Sequence, residues 1–185
     1  MDDEHRRLAA KAKSGDREAL NRLLEHHLGT VHKYVSMKIG PQQADVDDVV
    51  QDTLIAAAGS IRGLRGASKT EIAAWLLAVA RHKIADHLRA SYRHPHESIG
   101  ESFPNPQAPV DQMVVELDRA ERLRLALGRL THEQEEVLVL RFVLGFPIHE
   151  VAEITGRPPG AVKSMQHRAI ASLQQMLRAE EKAWR

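Results

Sequence analysis

Histidines and carboxylates are the side chains in this sequence that could catalyse a reaction or bind a metal. Among the 11 histidines, three groups are close in the chain, namely His26 with His27, His82 with His87, and His94 with His96. None of these groups has the i, i+4 spacing with a nearby carboxylate that zinc hydrolases use. The sequence also has no cysteine and no Gly-rich phosphate loop. We therefore expect no catalytic residue, no metal and no cofactor, and we predict that the protein is not an enzyme.

Recognition of nucleic acid is the other chemistry that the residues suggest, and it centres on "GRPPGAVKSMQHRAIASLQQML", residues 156–177. This segment predicts a helix whose rear is mostly apolar and whose front is polar. The polar side chains of the front are Lys163, Ser164, Gln166, His167 and Arg168. The preceding "PIHEVAEITG" predicts a short helix that closes at Gly156. A short helix, a glycine-containing turn and a longer basic helix are typical of a helix-turn-helix, whose second helix enters the major groove.

The residues before this pair predict two further helices. Thr131, with Gln134 three residues later, matches a capping box and predicts a helix start. Gly145 is placed to end that helix. An earlier helix is predicted from the spacing of Leu117, Ala120, Leu123 and Leu127.

The first half of the chain has helical periodicity and no strand signal. One apolar stripe, ended by Gly40-Pro41, contains Leu20, Leu23, Leu24, Leu28, Val31 and Val35. The next helix, "DVDDVVQDTLIAAA", has acidic and polar residues at positions i, i+1, i+4 and i+5, which form one acidic patch. These residues are Asp47, Asp48, Gln51 and Asp52. Because such a patch repels DNA, it indicates a basic protein partner.

A basic surface follows the acidic patch along the chain. The glycine-punctuated loop "GSIRGLRGASKT" carries Arg62, Arg65 and Lys69 and no acid. The helix after it, "EIAAWLLAVARHKIADHLRASYR", has a basic end with Arg81, His82, Lys83 and Arg89. Such a surface suits a phosphate backbone, because neutralised phosphates release counterions. Tyr34, Trp75 and Tyr92 are the aromatic residues here that could stack on a base, although Trp75 falls on the apolar stripe and is expected in the core.

Charge and proline content divide the chain into three parts. Residues 1–94 carry 15 Lys+Arg against 12 Asp+Glu, residues 95–113 carry none against 3, and residues 114–185 carry 11 against 10. The middle part also holds four of the eight prolines, which is typical of a linker. We therefore expect an all-α protein with two small helical domains, 1–94 and 114–185, joined by a flexible acidic linker. No apolar run approaches the roughly 18 residues that span a bilayer, so we expect a cytoplasmic protein without membrane insertion.

Together the two halves resemble the extracytoplasmic-function (ECF) group of bacterial RNA polymerase sigma factors, over residues 17–178. "DVDDVVQDTLIAAAGSI" is similar to that family's D-x-x-D-L-V-Q-E-T-F segment, and "AAWLLAVARHKIADHLR" to its W-L-x-x-I-A-R-N-x-x-x-D-x-x-R segment. "LTHEQEEVLVLRFVLGFPIHEVAEITGRPPGAVKSMQHRAIASL" follows the family's second-domain pattern nearly end to end. The resemblance implies that the first domain is sigma region 2 and the second is sigma region 4.

The resemblance also implies partners for each surface. Asp48, Gln51 and Asp52 would bind the clamp of core RNA polymerase, and Leu140, Leu144 and Phe146 would dock on its flap. The loop Arg62–Lys69 would capture a flipped base of the −10 promoter element, and the helix from Arg81 to Arg89 would follow the opened strand. The helix-turn-helix would read duplex −35 DNA. The linker would run through the RNA exit path, and an anti-sigma factor would hold the protein inactive.

Several residues depart from the family pattern. Met165 stands where an arginine is usual, which removes a phosphate or base contact, and Gln166 occupies a usually apolar position. Pro147 and Pro158 replace capping serines, and His82 replaces an asparagine. Met165 and Gln166 are therefore the positions at which we expect promoter preference to depart from that of relatives.

A stand-alone helix-turn-helix regulator that binds DNA as a dimer is the alternative function. It would explain the C-terminal helix pair but not the acidic patch. Nothing in the sequence resembles a dimer seam.

Overall fold

The computed structural model describes residues 2–40, 43–93 and 122–183, which form two compact helical units. The first unit contains α1 (Asp2–Lys13), α2 (Arg17–Ile39), α3 (Gln43–Ser60), a 3-10 turn (Ile61–Gly63) and α4 (Lys69–Arg93). The second contains a helical segment at residues 122–128, α5 (His132–Leu138), a π-helical turn (Val139–Val143) and α7 (Pro159–Ala183). α6 (Ile148–Thr155) precedes α7 in the chain, and its residues 152–155 group with the first unit. No strand occurs within these ranges. The prediction of two small all-α domains is confirmed, whereas the predicted linker, residues 95–113, lies outside the described residues.

The buried face of α2 forms the centre of the first unit, and α1, α3 and α4 all pack against this helix. The side chain of Asp16 begins α2 by accepting a hydrogen bond from the backbone N–H of Ala19 at 3.0 Å. Gly40, with φ of +100°, ends it as expected. The buried residues of α2 are Ala19, Leu23, His27, Val31, Tyr34 and Val35.

This stripe shares Leu23, Val31 and Val35 with the one predicted, whereas Leu20 and Leu24 are only half-buried. Leu28 was expected in the core but is 41% exposed. His27 is buried in its place, because the core-facing positions repeat at four-residue intervals from Ala19 through Leu23 and Val31. Leu28 lies one residue off that row, about 100° around the helix.

Helix α1 was not predicted from the sequence, and it packs on α2 through a short buried face. Leu8, Ala9 and Ala12 supply its apolar part, and His5 is also buried. The ring centroid of His5 lies 5.3 Å from that of His26 and 5.4 Å from that of His27. The three histidines, which we call the histidine cluster, therefore meet at the interface of the two helices.

Helices α3 and α4 complete the first unit by packing against each other and against α2. On α3, Val46, Val49, Val50 and Ala57 are buried. On α4, Ile72, Leu76 and Ile84 are buried, whereas Val79 is half-buried and Leu88 is 40% exposed. The end of α4 that carries Leu88 thus extends beyond the core.

The second unit begins with the predicted capping box. The hydroxyl of Thr131 accepts from the backbone N–H of Gln134, and the side chain of Gln134 accepts from the backbone N–H of Thr131, both at 3.3 Å. Gly145, with φ of +75°, ends the π-helical turn, and Gly156, with φ of +66°, ends α6. These left-handed conformations suit glycine, which has no Cβ to clash. The predicted helix starts and stops of this unit are therefore confirmed.

The described part of the chain gives two further results about sites and membranes. None of its helices combines the length and the hydropathy that crossing a bilayer requires. Within the same ranges, no group of three His, Cys, Asp or Glu side chains is arranged to hold a metal ion.

We predict that the buried His27 makes the first unit less stable in acid. Burial, together with the nearby charges of His5, Lys69 and His26, lowers the pKa of His27 from 6.5 to about 4. Because unfolded His27 binds its proton near pH 6.5 and the folded side chain binds it only near pH 4, the unfolded state gains protons first as the pH falls. The free energy of unfolding should therefore decrease between these values, by up to about 3 kcal/mol.

Chemical denaturation of the wild type and of His27→Leu at several pH values measures this effect. The variant should lose the part of the decrease that lies between pH 6.5 and 4. His149→Leu, at an exposed histidine, is the control and should keep it. Parallel pH profiles for the wild type and His27→Leu would contradict the assignment.

Candidate nucleic-acid interface

The N-terminal half of α7 carries the polar surface that the sequence predicts for base reading. Lys163, Ser164, His167 and Arg168 are exposed on one side of the helix. On the other side Val162, Met165 and Ala169 are buried, and α7 packs on α5. The packing therefore leaves the four polar side chains available to a partner, while their contact with DNA stays a prediction.

Gln166 is also on α7, but it is held differently from the other four. It is half-buried, and its Oε1 accepts a hydrogen bond from Nε of Arg141 at 3.1 Å. The amide oxygen is thus engaged within the unit. A base contact by Gln166 would use its amino group or require this bond to break.

Met165, the other departure from the family pattern, is 7% exposed and packs inward. Its side chain is therefore withdrawn from the surface formed by Lys163, Ser164, His167 and Arg168. Met165 can influence promoter preference only through the packing of α7 and not by direct contact. This agrees with the expectation that Met165 supplies no contact where an arginine is usual, and its effect on promoter preference stays a prediction.

The loop before α7 fixes where that helix begins. After Gly156, the side chain of Arg157 forms an ion pair with that of Glu133 in the first turn of α5. Pro159 is the first residue of α7, a position that tolerates proline because the missing N–H would have no partner. The backbone N–H of Val162 donates to the carbonyl of Pro158 at 3.1 Å. The turn is thereby stabilised without the serine cap that Pro158 replaces.

The basic loop of the first unit presents Arg62, Arg65 and Lys69, all three of them exposed. Its connection to α4 is made by Glu71, a residue that the sequence analysis did not single out. The Glu71 carboxylate accepts from the backbone N–H groups of Ser68 and Ala67, each at 2.9 Å. These bonds lower the pKa of Glu71, so the carboxylate stays charged. It anchors the end of the loop.

Gly66 allows this anchor to form. A Cβ at position 66 would overlap with the side chain of Glu71, so any larger residue would push the carboxylate away from the backbone that it caps. The signal in the sequence was Ser68 with Glu71 three residues later, the same capping-box spacing as Thr131 and Gln134.

The basic end of α4 is only partly available to a ligand. Arg89 forms an ion pair with Asp86 at 2.7 Å, so its charge is partly balanced. The Nδ1 of His82 lies 2.8 Å from the carbonyl oxygen of Ala78, which directs the other ring nitrogen outward. Arg81 and Lys83 are half-buried. A DNA contact by these four residues stays a prediction.

The aromatic side chains differ from what was expected of them. Tyr34 is fully buried in α2 and cannot stack on a base. Trp75, expected in the core, is only half-buried, because it lies beside the fully buried Leu76 rather than on the row that contains it. The side chain of Tyr92 lies outside the described residues. Trp75 is thus the described candidate for stacking.

The acidic patch on α3 is solvent-facing, as its spacing predicts. Asp48, Gln51 and Asp52 are exposed. Asp47, also exposed, lies 3.6 Å from the imidazole of His32. Ile55, one turn beyond Gln51, is 62% exposed and adds an apolar group to the same face. The patch combines charge with one apolar side chain, which suits a protein partner more than a nucleic acid.

The predicted flap contact changes at one residue. Leu140 is fully buried and offers no surface for docking, so its assignment to the polymerase interface was wrong. Leu144 and Phe146 are half-buried, and Phe142, which was not predicted, is 60% exposed. Both residues lie in the π-helical turn, where Leu140 faces the core and Phe142 faces solvent.

Comparisons with known protein families match one part of each half of the chain. The Sigma-70 region 2 family matches residues 23–94, and the Sigma-70 region 4 family matches residues 120–173. The ECF RNA polymerase sigma factor SigD of Mycobacterium tuberculosis is 33% identical over 172 residues, which cover 90% of this chain and 80% of SigD. The chain belongs to the ECF sigma factors. The stand-alone regulator is therefore not favoured.

Two further relatives of this sigma factor extend the comparison. The ECF sigma factor BldN of Streptomyces coelicolor is 30% identical over 92% of this chain, and the match covers 64% of BldN, less than two thirds of its length. CnrH, known from Cupriavidus metallidurans, has been solved in complex with the cytosolic domain of CnrY. That structure aligns with a TM-score of 0.66 at 29% identity, over 95% of this chain and 98% of CnrH.

We predict that Glu71→Ala loosens the basic loop of this sigma factor without unfolding it. Removing the carboxylate leaves the N–H groups of Ala67 and Ser68 without the acceptor that now protects them. Their amide hydrogen exchange, measured by NMR, should become severalfold faster while that of buried α2 residues is unchanged. Glu25→Ala, at an exposed glutamate of α2, should leave both rates as they are. Equal exchange rates in the wild type and Glu71→Ala would show that the carboxylate does not anchor the loop.

Proposed function

We propose that this ECF sigma factor joins core RNA polymerase through α3 and contacts the promoter through the basic loop, α4 and α7. The observation that carries the proposal is the separation of charge in the first unit. Asp48, Gln51 and Asp52 are exposed on α3, whereas the loop after α3 carries exposed Arg62 and Arg65. A surface for a basic protein and a surface for DNA thus occur on consecutive elements. A sigma subunit needs both surfaces, whereas a simple DNA-binding domain needs only the second.

In the second unit, α7 reads the −35 element as duplex DNA. Lys163 and Arg168 bring positive charge to the phosphates or to guanine, and Ser164 and His167 supply shorter polar side chains. The exposure of all four in the first half of the helix supports this role, since the N-terminal part of a recognition helix lies nearest the base edges.

In the first unit, the basic loop and the end of α4 act on the −10 element. Arg62, Arg65 and Lys69 attract the phosphates around a base that has left the stack, and Glu71 keeps the end of the loop in place. Arg81, His82, Lys83 and Arg89 then follow the single strand along α4. Half-buried Trp75 is the described aromatic side chain that could stack on a base.

Two surfaces bind core polymerase in this proposal. The acidic patch binds the clamp through Asp48, Gln51 and Asp52, and exposed Ile55 adds an apolar contact. Leu144 and Phe146 dock on the flap together with Phe142, which takes the place expected of Leu140. The acidic residues 95–113, outside the described ranges, connect the two units through the RNA exit path.

The remaining parts of the proposal concern regulation and setting. An anti-sigma factor covers the protein when it is inactive, which is consistent with the complex of CnrH with the cytosolic domain of CnrY. The protein has no catalytic role of its own, since polymerase performs the chemistry. It acts in the cytoplasm, where core polymerase and the chromosome are present.

In vitro transcription tests the proposal as a whole. The purified chain and core polymerase should together initiate from one class of promoter, and neither should do so alone. The stand-alone regulator predicts instead tight binding to duplex DNA by the chain alone with no new transcript start. Transcript starts mapped after overexpression in cells identify the promoter class to use.

We predict that Asp52→Lys abolishes binding to core polymerase and leaves the fold intact. Asp52 is exposed, so the substitution disturbs no buried contact but reverses a charge within the acidic patch. Affinity for core polymerase, measured by fluorescence anisotropy, should fall at least tenfold, with an unchanged circular dichroism spectrum. Glu25→Lys makes the same charge change on exposed α2 and should bind normally. Core affinity equal to wild type in Asp52→Lys would remove the patch from the clamp interface.

We predict that Arg168→Ala weakens recognition of the −35 element. A lost arginine contact to guanine corresponds to roughly fivefold or more in affinity. Open-complex formation by holoenzyme at a promoter of the mapped class should weaken by that factor, and less at a promoter whose −35 element is scrambled. Arg178→Ala, also exposed on α7 but ten residues further along, is the control. Wild-type promoter output from Arg168→Ala would exclude this role for Arg168.

A further inference from the structure

Arg141 connects three parts of the second unit. It lies in the π-helical turn, which is closed by a hydrogen bond from the N–H of Leu144 to the carbonyl of Val139 at 3.0 Å. Its Nη1 donates to the carbonyl oxygen of Phe146 in the loop before α6, and its Nε donates to Oε1 of Gln166 on α7 at 3.1 Å. One half-buried side chain therefore contacts both the loop before α6 and helix α7.

The chemistry of this contact fixes the orientation of the Gln166 amide. A guanidinium has five N–H donors and no acceptor, so the Gln166 atom that faces Arg141 must be the oxygen. The amino group of Gln166 consequently points away from Nε of Arg141. In this arrangement Gln166 offers donors, and its acceptor is already engaged.

Gln166 is close enough to the exposed surface of α7 for this orientation to matter. It follows Lys163 by three residues, a spacing that makes the two side chains neighbours on the helix surface. It is half-buried, whereas Met165 beside it is buried. Gln166 therefore lies at the border between the core and the polar face.

The state of the amide determines which bases Gln166 can read. Glutamine recognises adenine in the major groove through two bonds, one from its amino group to N7 and one from N6 to its oxygen. Guanine, by contrast, presents two acceptors, O6 and N7, and thymine presents O4. A glutamine whose oxygen already accepts from Arg141 keeps its amino group for these acceptors, whereas the paired contact with adenine would have to share that oxygen between Arg141 and N6.

We propose that Arg141 is a positioning residue that sets −35 specificity, because it engages one lone pair of the Gln166 oxygen and thereby favours contacts in which that side chain donates to acceptors on guanine or thymine. This inference rests on the proposed function, in which α7 reads the −35 element. Arg141 itself touches no DNA in this arrangement and acts through Gln166.

Selection from a promoter library tests the inference. The library keeps the −10 element of a mapped promoter and randomises the −35 element, and holoenzyme built with each variant selects the templates that it transcribes. Wild-type holoenzyme should prefer guanine or thymine at the position read by Gln166. Arg141→Met, which frees the oxygen, should raise the share of adenine at that position relative to guanine by about fivefold or more.

Three variants connect the effect to the contact between Arg141 and Gln166. Gln166→Glu keeps an acceptor for Arg141 and loses the donors, so the preference for guanine or thymine should disappear while the fold is retained. It tests base reading by the donors of Gln166, on which the role of Arg141 depends, even where Arg141→Met fails to fold. In Arg141→Met combined with Gln166→Leu, the gain in adenine should vanish. Arg178→Met removes an exposed arginine of α7 and should select like wild type.

The outcomes separate this inference from the proposed function. If wild-type holoenzyme selects a −35 sequence and Arg141→Met and Gln166→Glu select the same one, Arg141 does not set specificity and the inference is overturned alone. If wild-type holoenzyme transcribes without selecting any −35 sequence, the assignment of α7 to the −35 element is overturned, and the inference with it.

Discussion

The burial of one face of α2 is the interaction on which the first unit depends. α1, α3 and α4 all pack against this helix, and Leu23, Val31, Tyr34 and Val35 are fully buried along it. Each surrounding helix consequently turns one face inward and leaves the opposite face to solvent. The acidic patch of α3 and the basic surface that follows it are separated because the same core fixes the rotation of both helices. Surface charge here is organised by apolar packing.

The second unit follows the same logic with fewer helices. Contact between α5 and α7 withdraws Val162, Met165 and Ala169 from solvent, which decides which side chains of α7 a groove can meet. Polar contacts supplement this apolar contact between α5 and α7. The Thr131 cap starts α5, Arg157 pairs with Glu133, and Arg141 links the loop to α7. The orientation of α7 is therefore determined by its apolar packing on α5 and by these polar contacts.

Much of the fold could be predicted because its determinants are local. Helical periodicity identified α2 to α7, and the spacing of Thr131 and Gln134 and the glycines at 40, 145 and 156 marked helix ends. The exposed acidic patch also followed from spacing along a single helix. Family resemblance supplied the roles that spacing alone could not, since a charged helix face is compatible with many partners.

What could not be predicted depends on pairs that are distant in the sequence. Arg141 and Gln166 are 25 residues apart and Arg157 and Glu133 are 24 apart, so no local pattern announces either contact. The histidine cluster joins His5 of α1 to His26 and His27 of α2. The sequence showed that His26 and His27 are adjacent, but it did not show that His5 lies beside them. The flap role of Leu140 came from the family resemblance and not from periodicity, and no local pattern indicated the π-helical turn that begins at Val139.

That change of spacing gives the second unit an unusual dependence on chain length. A π-helical turn contains more residues than the α-helical turn it replaces, and one residue corresponds to about 100° of rotation. Removing a single residue between Val139 and Val143 would let this turn close as an ordinary α-helical turn, which changes the position of Arg141 relative to Phe146 and Gln166. Replacing a side chain there disturbs one contact, whereas a deletion shifts the register of the whole junction. The contacts that Arg141 makes therefore depend on the number of residues in this turn as well as on their identity.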